Sequence, residues 1–499
     1  MKISVGTPGV LKAIAVGALV AATAMTGGVS VEGQGQPPGN TSFHPPVVER
    51  APATELAMKI TEPFTFAAVG DMINYNPVGN LADSAYQSLA QVMRSADMTY
   101  ANHEGLVIDL DTFKAPLSGQ VKPKAALEDL KALGIRIMTT SNNHTMDSGA
   151  PGMFETNRLL DEAGIVHAGA GANLQEARQA RLARTPKGRV GVVGMFSIGP
   201  EQPATQSGAA TYKEGTVGGQ PGVNPLRVQA ANIVTAEQMQ ALRKIRDAVY
   251  ARRSEVPAPL DDVRANEPQD RLQLFNTNYQ VGDKVGNLAY TINPRDLNDM
   301  LLSIRDGKVR SDFMIVAIHC HQNSFAFQAY SHDNQTPDFL VELAHKAIDN
   351  GADVFVGHGV HTLRGVEIYK GKPIFYGVSN FFNQLGQEAL APTPGGKLSA
   401  TEEGAEQMTW VTQDSNLEAL LTTSRFEGGK LVEVRLYPAD LGQGHSRPLS
   451  KTGVPMTPSP ATARKILEKM QAISKPFGTT IAIENNIGVI RVATSTASR

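Results

Sequence analysis

Three observations predict an α/β fold with a largely parallel sheet. From Phe64 onward, short β-branched or aromatic runs alternate with amphipathic helical patterns. Metal-binding side chains directly follow two such runs, as Gly357-His358-Gly359-Val360-His361 after residues 352–356 and as Ser141-Asn142-Asn143-His144 after residues 135–140. These groups would sit at the carboxyl ends of strands, where α/β sheets hold their ligands. Finally, 499 residues suffice for one large domain with insertions.

The elements follow in chain order. Lys2 and Lys12 precede an uncharged run over 13–25 in which Ala22-Thr23-Ala24 has the small-residue pattern of a signal-peptidase site. Residues 1–24 therefore read as a secretory signal peptide, and the chain as exported to the periplasm or the exterior, with an uncleaved signal anchor as the alternative. The apolar run is too short for a membrane span, so the mature chain is expected to have none. Residues 25–60 read as a flexible linker, being rich in Gly, Pro and Gln up to about Ala53. The main domain is expected over 61–445, with strands at 64–69, 98–101, 135–140, 190–196, 313–319, 354–356 and 374–376. Helices are expected at 124–133, 153–163 and 338–349; in the last, Phe339, Leu340, Leu343, Ala344, Ala347 and Ile348 repeat at helical spacing.

Between residues 201 and 292 that rhythm lapses into a Gly/Pro-rich stretch, a charged helix near 235–253 and a polar segment, which reads as an insertion lying off the sheet. Paired strands are expected at 417–426 and 431–437 around Gly428-Gly429. A C-terminal extension over 446–499 holds a helix at 461–474 and a hairpin turning at Glu484-Asn485-Asn486.

Composition narrows the partners. Lys plus Arg number 46 against 48 Asp plus Glu, a net charge of -2, and no dense basic run is interleaved with aromatics. A nucleic-acid partner is excluded on that basis. The single cysteine, Cys320, excludes an intramolecular disulfide. Strand alternation puts Cys320 on the face opposite His319 and His321, so it reads as core.

Five strand ends carry the candidate ligands: Asp71, Glu104, Asn143 with His144, His319, and the His358/His361 pair. Each alone has a plain structural reading: Asp71 could cap a turn, Glu104 could be a solvated loop acid, and one histidine after a strand is common. Together they point to metal, because strands of a parallel sheet deliver their carboxyl ends to one edge. Carboxylate, amide oxygen and imidazole suit two divalent transition ions, manganese, iron or zinc, better than calcium. His321 reads as lining the pocket, and His345 as solvated on the polar side of its helix. His332, His167, His44 and His445 read as surface residues, and His103 alternates away from Asn102 and Glu104.

The order Gly-Asp71, Asn102-x-Glu104, Asn142-Asn143-His144, His319, Gly357-His358-x-x-His361 and Tyr376-Gly377-Val378-Ser379-Asn380-Phe381 resembles the CapA family of poly-γ-glutamate capsule biosynthesis proteins, similar in turn to calcineurin-like metallophosphoesterases. The resemblance implies an αββα sandwich, two facing sheets with helices outside. It also implies ligand roles: Asp71 and His361 on a first metal, Glu104 bridging, Asn143, His319 and His358 on a second, and His144 as general acid. The chain departs from the phosphoesterase pattern in having Asp71-Met72-Ile73 for Asp-x-His and a Gly-His-x-x-His one residue longer than usual. The first metal thus loses an imidazole, to be replaced by Asn74, Asn102 or water.

The leading functional expectation is a metal-dependent hydrolase or transferase for a phosphoester or similar oxyanionic group, with a metal-held hydroxide as nucleophile and His144 protonating the leaving oxygen. A non-catalytic accessory protein of envelope capsule synthesis that binds an acidic polymer is the second. A γ-glutamyl amide hydrolase is the third.

Overall fold

The computed structural model describes residues 52–199, 208–212, 218–251, 267–325, 334–385, 416–442, 447 and 451–492. The signal segment, the linker up to residue 51, His44, His332 and His445 lie outside the described residues.

In chain order the main elements are β1 (Phe64–Ile73), α1 (Ser84–Ser95), β2 (Met98–Asn102), α2 (Leu127–Ala132), β3 (Ile137–Thr139), α3 (Gly149–Glu162) and β4 (Val166–Ala168). Then come β5 (Arg181–Thr185), β6 (Gly188–Ile198), β7 (Pro225–Val234), α4 (Ala236–Ala251), β8 (Arg271–Leu274), β9 (Thr277–Val281), β10 (Leu288–Ile292) and α5 (Pro294–Arg310). These are followed by β11 (Phe313–His319), α6 (Asp338–Asp349), β12 (Val354–His358), β13 (Val366–Tyr369), β14 (Lys372–Phe375) and β15 (Asn380–Asn383). The chain closes with β16 (Glu418–Glu427), β17 (Lys430–Asp440), α7 (Pro460–Ser474), β18 (Ala482–Glu484) and β19 (Ile487–Arg491).

Two large sheets result. The first runs β18-β19-β17-β16-β1-β2-β3-β4, with β15 also on β1. The second runs β8-β9-β7-β6-β11-β12-β14-β13, with β10 on β7 and β5 on β6. Around the centre of each the pairing is parallel, through β1-β2-β3-β4 and β6-β11-β12-β14.

Side-chain alternation explains the layering. In β1, Phe64, Phe66 and Ala68 join a core shared with Phe313, Ile315 and Ala317 of β11 and Val354 and Val356 of β12. The residues between them turn outward: Ala67 and Val69 pack with Tyr86, Leu89 and Met93 of α1 and Leu159 and Leu160 of α3. On the second sheet, Met314, Val316 and Ile318 pack with Met300 and Ile304 of α5 and with Phe339, Leu340 and Leu343 of α6. Both sheets are apolar on both faces, as strands covered on each side must be. The fold is an αββα sandwich.

Four strands of the segment expected to lie off the sheet belong to it. Pro225, Leu226 and Arg227 of β7 pair in parallel with Phe196, Ser197 and Ile198 of β6, and β10, β9 and β8 continue the second sheet outward from there. The sequence hid this because that edge is only half-buried, so its strands carry Gln, Asn and Thr at positions that a central strand fills with apolar residues. The C-terminal extension is likewise part of the first sheet, through β19 on β17, with Ile466, Leu467 and Met470 of α7 in the inter-sheet core. Met58 and Ile60, at the end of the expected linker, are buried in that same core. Among the described residues, no helix is long and apolar enough to cross a membrane.

Candidate metal centre

Strand parity sends His319 and His358 toward the inter-sheet space, in phase with Ala317 and Val356. Parity alone would turn Asp71 away from them. A register shift between Ala68 and Asp71 in the β1-β2 pairing reverses its side, and its carboxylate meets both histidines.

Asp71 Oδ1 lies 3.3 Å from His358 Nδ1 and 3.6 Å from His319 Nδ1, and those two nitrogens are 3.1 Å apart. These spacings bracket the edge of about 3.4 Å for a tetrahedron of donors on bonds of about 2.1 Å. Asp71 Oδ2 lies 3.5 Å from His361 Nδ1, and His361 Nε2 lies 3.7 Å from Glu104 Oε1. Two groups able to hold a cation thus share one carboxylate: Asp71 with His319 and His358, and Asp71 with Glu104 and His361. The common member is Asp71, not Glu104 as the resemblance implied. Asn143 stands at the margin, its Oδ1 3.3 Å from His321 Nε2, which in turn is 3.0 Å from His319 Nε2.

Neighbouring groups fix these rings. Tyr100 OH lies 3.0 Å from His358 Nε2, leaving Nδ1 to face Asp71. Asn380 Oδ1 is 2.6 Å from His361 Nδ1, and Asn102 Nδ2 donates to Asp71 Oδ1 at 2.8 Å. Gly359 is required beside them, since a Cβ there would sit 2.9 Å from the His319 ring. His361 itself holds a positive φ of 58°, a conformation uncommon outside glycine, and its carbonyl accepts from Ser379 Oγ.

The electrostatics fit a cation. Glu104 is fully buried and, among the described residues, neither of its carboxylate oxygens has a hydrogen-bond partner. Burial, and then the charge of Asp71, push its carboxyl well above the usual range. Asp71 is held well below that range: burial opposes this, but hydrogen bonds from His319 and His358 outweigh it. Burial pushes His319 down to about 4 and His321 down as well, so these two imidazoles are neutral and offer lone pairs. A buried acid set among imidazoles and a second carboxylate is what a divalent ion would satisfy.

His144 lies at the open side, a quarter exposed, with Nε2 4.0 Å from Glu104 Oε1. Its Nδ1 is 2.8 Å from Asp147 Oδ2, which orients the ring, and Gln120 Nε2 lies 3.0 Å from His144 Nε2. Asp147 was not singled out in the sequence, and its i,i+3 spacing from His144 is the signal that could have found it. Tyr100, Gln120 and Lys122 left no sequence signal. Lys122 is buried beneath the centre and donates to the carbonyls of Met72 and Glu104; burial lowers its ammonium to about 7.

The remaining residues fall as follows. Asn74 turns away, donating to Asp129 and the Ala126 carbonyl, so it does not replace the missing imidazole; Ile73 packs with Tyr75 and Leu385 instead. Cys320 is buried in the outer core of the second sheet. His103 is buried away from the ligand cluster. His167, expected at the surface, is buried, because β4 lies under β5 and β6. His345 is only partly exposed: it stacks on Tyr369 at 3.8 Å and meets Glu367 at 3.0 Å.

The sequence matches the family described as bacterial capsule synthesis protein PGA_cap over residues 65–385, which span every ligand candidate. The Sinorhizobium fredii protein y4sH, described as uncharacterized, is 36% identical over 461 residues, 87% of this chain and 95% of that one. The Bacillus subtilis PGA biosynthesis protein CapA is 22% identical over 303 residues, 60% of this chain and 57% of CapA. A solved Staphylococcus aureus protein described as a 5'-nucleotidase is 9% identical with a TM-score of 0.34, covering 82% of this chain and 58% of that chain. With the family match spanning most of the sandwich and the whole ligand cluster, the chain belongs to the PGA_cap family of bacterial capsule synthesis proteins.

Proposed function

We propose that this protein is an exported metal-dependent hydrolase or transferase, acting on a phosphoester or similar oxyanionic group in the synthesis of an acidic envelope polymer. The observation that carries this reading is Glu104, a fully buried carboxylate with no donor among the described residues, facing His361 beside a second carboxylate. Asp71, His319 and His358 would hold one ion, with Asn143 next to them, and Asp71, Glu104 and His361 the other. Two divalent ions, manganese, iron or zinc by the donor set, would supply Lewis acidity and an acidified water. His144 donates from Nδ1 to Asp147, and a second proton, taken up to form the imidazolium, would sit at Nε2 on the solvent side. The leaving oxygen would take its proton from there.

One observation favours a non-catalytic accessory role instead. Ile73 points into an apolar cluster, so the Asp71/Glu104/His361 side keeps three protein donors and its ion would be weakly held. Metal analysis of the purified chain, with turnover assays on a phosphodiester panel and on poly-γ-glutamate after metal is added back, tests both. Turnover on phosphodiesters supports the hydrolase. Metal without turnover moves the assignment to the accessory role, and cleavage of the γ-glutamyl polymer to an amide hydrolase.

A further inference from the structure

Arg364 heads the fully buried side chains by volume, at 1% exposure. Among the described residues its guanidinium makes one hydrogen bond, from Nη2 to the carbonyl oxygen of Gln322 at 2.7 Å. Among the described residues Nε is buried without a partner, and no carboxylate is within ion-pair distance of it. A guanidinium carries five N–H donors, so most of its capacity is unused. Two other buried cations are matched by carboxylates, Arg178 by Asp296 and Asp299 and Lys308 by Asp353, whereas Lys122 donates to two carbonyls. A buried cation left without counter-charge opposes folding, unless it is kept for an anion that arrives later.

Its position supports that purpose. Arg364 follows His361 by three residues, and Gln322, whose carbonyl it grips, follows His321 at the margin of the metal centre. Gly377 leaves room for its stem: a Cβ there would lie 3.0 Å from Arg364 Cβ and 3.1 Å from Cγ. Two residues earlier, Thr362 Oγ1 is also buried with no partner among the described residues, a second unused donor on the same short segment. The guanidinium fork matches a carboxylate or a phosphate in geometry and charge.

We infer that Arg364, with Thr362, forms an oxyanion subsite next to the metal centre, taking a carboxylate or phosphate group. Assigning that group to the substrate, as an acidic group adjoining the reacting one, rests on the function proposed above. The subsite itself does not. A stretch of acidic polymer would place one such group here while another is held at the metals.

The test is thermal melting of the intact chain, as purified with its metals, titrated with inorganic phosphate and separately with γ-linked triglutamate. Both parent and Arg364→Gln are measured, with metal content followed in each. A bound anion raises Tm with its concentration. The expected result is a rise in the parent that needs about tenfold more anion in Arg364→Gln, for loss of a charge-assisted pair, with metal content unchanged. Arg364→Lys should keep part of the response, and it carries the test if the glutamine variant does not fold. A response to phosphate alone assigns a phosphoryl group to the subsite, and a response to triglutamate alone a carboxylate. No response in the parent, or an equal one in all variants, overturns the subsite while leaving the metal reading intact. Metal loss from the parent with the anion response retained would overturn the metal reading and leave the subsite standing.

Discussion

His144 Nδ1 lies 2.8 Å from Asp147 Oδ2, three residues on in the same turn, so the carboxylate fixes which ring nitrogen faces the reacting group. With Nδ1 engaged, Nε2 is the nitrogen left toward Glu104. His144→Ala is expected to slow turnover of substrates with alkoxide leaving groups by about 100- to 10,000-fold, and of activated aryl esters far less, with metal content intact. Asp147→Asn should shift the same ratio in the same direction by a smaller factor. Equal slowing of both substrate classes, with metal lost, would place His144 among the ligands.

Because Asp71 gives one oxygen to each donor group, the ligand variants should not be equivalent. His358→Ala is expected to lower occupancy on the His319 side, and His361→Ala on the Glu104 side. Asp71→Ala should empty both. Metal stoichiometry by elemental analysis of the three proteins decides this, and Asp71→Ala retaining one full equivalent would refute the shared carboxylate.

Asp129 should leave a signature in stability against pH. Its carboxyl is pushed up to about 6, by burial first, against hydrogen bonds from Asn74, Gly79 and Val78. The folded state therefore binds a proton that the unfolded chain has released above its usual value of 3.8. This contribution is complete below pH 3.8 and is lost as pH rises through about 6. Over that window the loss is on the order of 3 kcal/mol. Urea unfolding of Asp129→Asn against the parent at pH 4.5 and 7 should give a difference that changes with pH by about 2 kcal/mol, since about a third of the loss is already complete at pH 4.5. A constant difference would exclude the shift.

Phe313 should be among the costliest single positions in the core. Its ring lies between the sheets, with centroids 5.1 Å from Phe64, 5.4 Å from Phe66 and 5.3 Å from Phe426. Phe313→Ala is expected to lose about 3–5 kcal/mol in denaturant unfolding. A loss under 1 kcal/mol would mean the two sheets close over the gap.

Export should leave a mature chain beginning near Ala24, following the order of Lys2 and Lys12, the uncharged run and the small residues. N-terminal sequencing of exported protein checks it, and a soluble cytoplasmic pool retaining Met1 would count against it.

By itself the sequence determined the alternation of strands and helices and the residues that stand at strand ends. It could do so because both are local: an apolar period of two or 3.6 and a polar residue following it are visible within one segment. His319 and His358 were readable in this way, since each stays in phase with its own strand. Asp71 was named as a ligand, but its sharing between two groups depends on a register shift against β2 that no single segment encodes. Tertiary structure alone also decided that β7, β8, β9 and β10 extend the second sheet, because half-buried edge strands tolerate the polar side chains that disguise them. The same holds for Lys122 and Arg364: in the sequence each is an ordinary cation, and only packing from distant strands removes the water that would otherwise solvate it.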